Sequence, residues 1–221
     1  MKKIEISNPL LEAPATISKF EKMNLKPTVY PFKARLINGT EKNLADYDGK
    51  VLLIVNTASG CGFTPQLKDL QQIRDEFSDQ GFEILGFPSN DFGKQEPLDG
   101  KAINEFCEVN YGVQFPIFDK IMVRGKEAHP LFKFLADKKL NGNVTSTPRW
   151  NFHKYLIDRN GELAGAWPSR VEPNDPAIIE AIEGPIALTT CVEGHDCAVD
   201  HNCTVRPHWP VVNQALRGAL A

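Results

Sequence analysis

The run Val51-Leu52-Leu53-Ile54-Val55 constrains this chain more than any other segment, because an unbroken apolar run rich in β-branched residues fits a strand buried on both faces. Pro65 then opens a stretch in which Leu67, Leu70, Ile73 and Phe77 recur at helical spacing. Strand 51–56, helix 65–79 and strand 82–87 make a βαβ unit, whose strands should run parallel with a right-handed crossover. Ahead of it, residues 30 to 48 alternate and turn at Asn38-Gly39, the pattern of a β-hairpin. Behind it, the spacing predicts a helix near 99–110, a strand over 117–123 and a helix over 128–137. A hairpin 152–158/162–167 about Arg159-Asn160-Gly161 and a last helix near 175–183 complete the order. This alternation predicts an α/β fold with a central mixed sheet flanked by helices.

Between the first strand and its helix lies Ser59-Gly60-Cys61-Gly62-Phe63-Thr64. A cysteine just ahead of a helix N-terminus meets unpaired backbone N–H groups and the positive end of the helix dipole, which favour its thiolate and make it a nucleophile. An inert core thiol rarely sits in a turn between two glycines.

Length and charge limit what else the chain does. With 221 residues and 42% hydrophobic content it can bury one substantial core plus tails. Its 25 basic against 28 acidic residues create no field for nucleic acid or an anionic membrane surface, and no integral membrane association is expected. After Lys2 and Lys3 no apolar signal core follows, so a cytoplasmic location is expected and the sequons at Asn38, Asn143 and Asn202 carry no weight.

Three further runs join the Cys61 segment: residues 86–97, which contain Ser89-Asn90-Asp91-Phe92-Gly93-Lys94-Gln95-Glu96-Pro97, then Phe106-Cys107-Glu108-Val109-Asn110-Tyr111-Gly112-Val113, then Trp150-Asn151-Phe152. Together, in order and spacing, they resemble the signature segments of the glutathione peroxidase family over roughly residues 29 to 183. The resemblance implies a thioredoxin-like fold and a thiol peroxidase that reduces hydrogen peroxide or organic hydroperoxides without a cofactor or metal. It implies a catalytic tetrad of Cys61, Gln95, Trp150 and Asn151. The chemistry is consistent with that assignment: a thiolate attacks one peroxide oxygen, and neutral amide and indole donors stabilise the charge on the other. Taken singly, Trp150 reads as a core aromatic, Gln95 as a loop residue and Asn151 as a turn residue. In register with Cys61 they read as a donor shell.

Oxidised Cys61 is a sulfenic acid that must condense with a second thiol. Cys107 matches the resolving cysteine of those relatives that form an internal disulfide and use thioredoxin, although it also suits a small apolar position beside Ile103 and Phe106. On a regular helix it would need local unwinding to reach Cys61. The short connection from Leu140 to Arg149 lacks the insertion of the tetrameric relatives, and no basic cluster for glutathione is evident. Thioredoxin is therefore the expected reductant, with glutathione as the alternative. Where many relatives have cysteine and glutamine, this chain has Ser89 and Asp91, whose charge would repel anions or disfavour the thiolate if it lay close to Cys61.

Residues 1–28 are expected to be an extension, with a short helix around Pro14 to Lys22, and residues 29–183 the peroxidase domain. Residues 184–221 form a second extension bearing Cys191, His195, Cys197, His201 and Cys203. That array leaves open a metal site, a disulfide or a loosely ordered tail; no metal ligand is assigned, because the common short Cys–Cys spacing is missing. A rival function uses the same thiol as a peroxide sensor that passes its disulfide to a client protein. A metal-storing protein built on the tail ranks last.

Overall fold

The computed structural model describes residues 26–183; the predicted helix at Pro14 to Lys22 and the tail cysteines and histidines lie outside the described residues. A small antiparallel pair, β1 (Lys33–Arg35) and β2 (Glu41–Asn43), turns where Gly39 takes a φ of +89°. Then follow β3 (Val51–Thr57), α1 (Gln66–Phe77), β4 (Phe82–Pro88) and α2 (Lys101–Tyr111). Helices α3 (Pro130–Ala136) and α4 (Lys138–Asn141), the hairpin β5 (Lys154–Ile157) and β6 (Leu163–Trp167), and α5 (Pro176–Glu183) complete the described chain. The contacts divide the chain within α5, after Ile178, and only the remainder of that helix is described beyond the division.

The main sheet has the order β4-β3-β5-β6. Strands β3 and β4 are parallel, with Val51 opposite Phe82, as the βαβ reading requires, and β5 pairs antiparallel to β3. All seven residues of each parallel strand are buried, the burial expected of a sheet covered on both faces. Alternation decides which side chain goes where. Leu52, Ile54, Leu85, Phe87, Tyr155 and Ile157 join one cluster with Phe118 and with Leu131, Phe132 and Leu135 of α3. Phe87 stacks on Phe118 at 4.3 Å between ring centroids and meets Phe132 edge-on at 5.5 Å. On the opposite side of the strands are Leu53, Val55, Ile84 and Lys154, and α1, whose buried residues are Leu67, Leu70, Ile73 and Phe77, packs on β4. This mixed sheet between helices is the α/β, thioredoxin-like fold.

Two predicted elements differ. Residues 117–123 form no strand: Gly86 donates to the Pro116 carbonyl and Phe118 to Gly86, but only single bridges result. Pro116 has no N–H to extend a ladder, and Asp119 and Ile121 donate instead to Arg35 and Pro88. The predicted helix 128–137 stops at Ala136 because Asp137 is extended, with a φ of −118°, and its carboxylate accepts from the Lys139 N–H at 2.9 Å to start α4. No helix among the described residues is long and apolar enough to cross a membrane.

Phe132 joins α3 to the sheet through Phe87 and Tyr155 and has no solvent exposure. Phe132→Ala should therefore destabilise the protein by about 3–5 kcal/mol in denaturant unfolding; a loss below about 1 kcal/mol would contradict this packing.

Candidate active site

The chain leaves β3 at Thr57 and reaches α1 through a turn fixed by local hydrogen bonds. The Cys61 N–H donates to Thr64 Oγ1 at 3.0 Å, and the Thr64 hydroxyl donates to the Ala58 carbonyl at 2.9 Å. Cys61 is buried, and the Phe63 N–H points at its Sγ from 3.4 Å. The thiol thus has a backbone donor supplied by the turn itself.

A second loop, after β4, is bolted to this turn. Gly60 N–H donates to the Gln95 carbonyl at 2.8 Å, and a Cβ on Gly60 would stand 3.1 Å from that oxygen, so glycine permits the approach. Beside it, Glu96 accepts from the Ser59 N–H at 3.0 Å and from the Ser59 hydroxyl at 2.7 Å. Burial raises the Glu96 carboxyl above its ordinary range, and the Ser59 hydroxyl opposes that shift. The loop turns back through Gly93 and Lys94, both left-handed, with φ of +60° and +53°. Asp91 faces other partners: its carboxylate accepts from the N–H groups of Val123 and Arg124 at 2.7 and 3.2 Å. It fastens the 122–124 segment to the loop.

The third segment precedes β5. Asn56, wholly buried at the end of β3, accepts the Phe152 N–H on its carbonyl at 2.6 Å and the His153 N–H on its side chain at 3.0 Å. Its amide donates to the Trp150 carbonyl at 3.2 Å. Phe152 between them is left-handed, with a φ of +66°, a strained conformation for a bulky residue. This turn aims Asn151 at the loop: Asn151 Nδ2 donates to Gln95 Oε1 at 3.0 Å, while its buried Oδ1 has no partner. Trp150 is 39% exposed, with its ring 5.9 Å from that of Phe92.

Contacts thus link Asn151 to Gln95, Gln95 to the residue before Cys61, and Trp150 to the same loop. One donor of Asn151 is committed to Gln95, so Asn151 does not offer both. Cys107 is a free, buried cysteine inside α2, and burial first, then the charge of Glu96, pushes its thiol up to about 12. Sequence reasoning did not single out Asn56, Glu96 or Ser59, although all three lie in or beside the quoted runs. Among the described residues a cleft of about 480 Å³ opens next to this turn, lined by Ser146, Thr147, Arg149, His153, Ser169 and Arg170. Its two arginines form a cationic rim that the sequence reading did not single out. No group of three or more His, Cys, Asp or Glu gathers at metal-binding distance among the described residues.

The glutathione peroxidase family profile matches residues 29–136. A glutathione peroxidase homolog of Halalkalibacterium halodurans is 53% identical over 146 residues, which cover 66% of this chain and 92% of that protein. The hydroperoxy fatty acid reductase of Synechocystis sp. is 47% identical over 155 residues, covering 68% of this chain and 92% of that protein. The crystal structure of Trgpx in its apo form superposes with a TM-score of 0.56 at 39% identity, covering 72% of this chain and 97% of that one. Fold and likeness define a peroxidase, an oxidoreductase on a thioredoxin-like scaffold. Within that class, the chain belongs to the glutathione peroxidase family.

His153 is 4% exposed, and burial, aided by Lys154, lowers its pKa from 6.5 to about 4. The unfolded chain therefore binds the extra proton first, so stability falls as pH drops from about 6.5 to about 4. Melting temperatures of the wild type should decline through this window, and His153→Gln should flatten the decline; equal slopes would contradict the assignment.

Proposed function

We propose that the chain reduces hydroperoxides at Cys61, with Gln95, Trp150 and Asn151 as hydrogen-bond donors and Cys107 as the thiol that resolves the intermediate. The observation that carries this reading is the path of contacts from Asn151 through Gln95 to Gly60, which sets amide groups beside the Cys61 turn. Because Gln95 Oε1 is held by Asn151, the Gln95 Nε2 donors are left for sulfur or peroxide. Attack of the Cys61 thiolate on the peroxide breaks the O–O bond; sulfur gains OH, and the departing alkoxide takes a proton to leave as alcohol or water. Condensation of the sulfenic acid with Cys107 releases water and forms a disulfide. Thioredoxin's dithiol then reduces that disulfide by exchange, in preference to glutathione.

Residues 29–183 serve as the catalytic domain in this reading, between extensions 1–28 and 184–221, and the protein acts in the cytoplasm. The Synechocystis relative is named for hydroperoxy fatty acids. Arg149 and Arg170 on the cleft suit the carboxylate of such a substrate. A sensor role has one supporting observation: a thiol as buried as Cys107 resolves slowly, which prolongs the sulfenic acid.

Two measurements test the proposal. Cys61→Ser should lose all but a few per cent of peroxidase turnover while keeping the fold; larger residual activity would sink the assignment. Cys107→Ser should consume one equivalent of peroxide and then lose thioredoxin-dependent turnover, and in the wild type one equivalent should produce a Cys61–Cys107 bridge by mass spectrometry. Full thioredoxin turnover in that variant, or a bridge from Cys61 to Cys191, Cys197 or Cys203, would transfer the resolving role to the tail. Capture of a client protein as the main product would favour the sensor.

A further inference from the structure

Lys154 has no solvent exposure, although it carries a flexible, strongly hydrated ammonium group. Its Nζ donates to Gln66 Oε1 at 2.7 Å and to the Phe152 carbonyl at 2.8 Å. Gln66 is the first residue of α1, itself only 3% exposed, and its amide donates onward to the Ser169 carbonyl at 2.9 Å. Phe152 is the left-handed residue directly after Asn151. One buried cation therefore joins the two chain segments that carry Cys61 and the Trp150-Asn151 pair. A buried ammonium is costly unless its donors are satisfied, and here the acceptors that satisfy it belong to those two segments.

We propose that Lys154 is a positioning residue for peroxide reduction: its ammonium clamps the strained Phe152 carbonyl to the first turn of α1, and so fixes Trp150 and Asn151 relative to Cys61. This rests on the site described under the proposed function. The clamp has no contact with the reacting atoms and acts through the backbone.

The surroundings make the clamp sensitive to pH. Opposite Lys154 in the sheet are Val55 of β3 and Trp167 of β6, neither of which carries a charge. From α1 it meets the neutral Gln66, and its chain neighbour His153 is held uncharged near neutrality by burial. Glu172, in the connection from β6 to α5, favours the ammonium. Burial outweighs that carboxylate and brings the lysine down to about 8. Above that pH the amine keeps fewer donors and no charge, and charge-assisted hydrogen bonds are the stronger kind.

The test is the rate constant of Cys61 oxidation by hydrogen peroxide, followed by stopped flow across the neutral to alkaline range in three full-length proteins. Wild type should slow above about pH 8. Lys154→Met should be slower by ~10- to 100-fold at neutral pH, the effect of a small misplacement, and should lack the alkaline decline. Gln66→Glu places a carboxylate beside the ammonium, which stabilises the charged form, so its decline should move to higher pH. Near-UV circular dichroism checks the fold of each, and Gln66→Glu decides the matter if Lys154→Met fails to fold. A folded Lys154→Met with wild-type rates and pH profile, or an alkaline decline that Gln66→Glu leaves in place, would overturn the clamp. Peroxidase activity surviving in Cys61→Ser would instead overturn the site reading beneath it.

Discussion

A buried strand that ends inside the protein must find partners for the polar groups where its ladder stops, and β3 meets that demand with Asn56. Its side chain and main chain together engage Trp150, Phe152 and His153, in place of the regular pairing that begins only at Lys154 opposite Val55. From the same strand end the chain continues into the Cys61 turn. One amide side chain therefore sets the spacing between the thiol segment and the Trp150-Asn151 segment. Without it, the Trp150 carbonyl and the His153 N–H that flank the left-handed Phe152 would lose their partners, and residues in such conformations persist only where their surroundings over-determine them.

The loop after β4 is held by a different force. Glu96 is 1% exposed, and a buried carboxylate is costly unless donors surround it. The Ser59 N–H and hydroxyl supply two of those donors, and they belong to the Cys61 turn. The desolvation penalty thus works as a constraint, because separating loop from turn would strand the carboxylate. Lys154 applies the same logic with opposite charge on the other side of the site. Between these two buried charges, the amides of Gln95 and Asn151 need no rigidity of their own.

Much of the fold was legible because hydrophobic burial writes itself as period and run. The apolar run 51–55, the strand read over 82–87 and the spacing of Leu67, Leu70, Ile73 and Phe77 correspond to β3, β4 and α1. The reading failed where one residue's backbone chemistry outweighed the pattern. Pro116 withholds a donor beside an otherwise strand-like run, and Asp137 caps a new helix inside an apparently continuous one. At the site, the motifs located Gln95, Trp150 and Asn151 on the segments that converge. Asn56, Glu96 and Lys154 escaped because their importance lies in burial, and a polar residue carries no sign in the sequence that it will be enclosed. Lys154, a charged residue within the predicted hairpin 152–158/162–167, is wholly buried.

The two thiols of the proposed cycle are both buried but stand in different local settings. Cys61 lies in a turn with a backbone N–H directed at its sulfur, whereas Cys107 is enclosed within α2 and its thiol is raised to about 12. At neutral pH a thiol raised that far stays protonated, so it is a poor nucleophile and a poor target for oxidation while the helix is intact. Gly112, left-handed with a φ of +67°, terminates α2 within two turns of Cys107, and helix ends are where opening costs least. Opening there would bring the thiol into water, relieve the desolvation that raises its pKa, and free it to move. In the proposed cycle, a resolving thiol stored in this way would be protected from peroxide until the helix opens, and internal disulfide formation would then depend on the stability of that helix end as well as on the chemistry of sulfur.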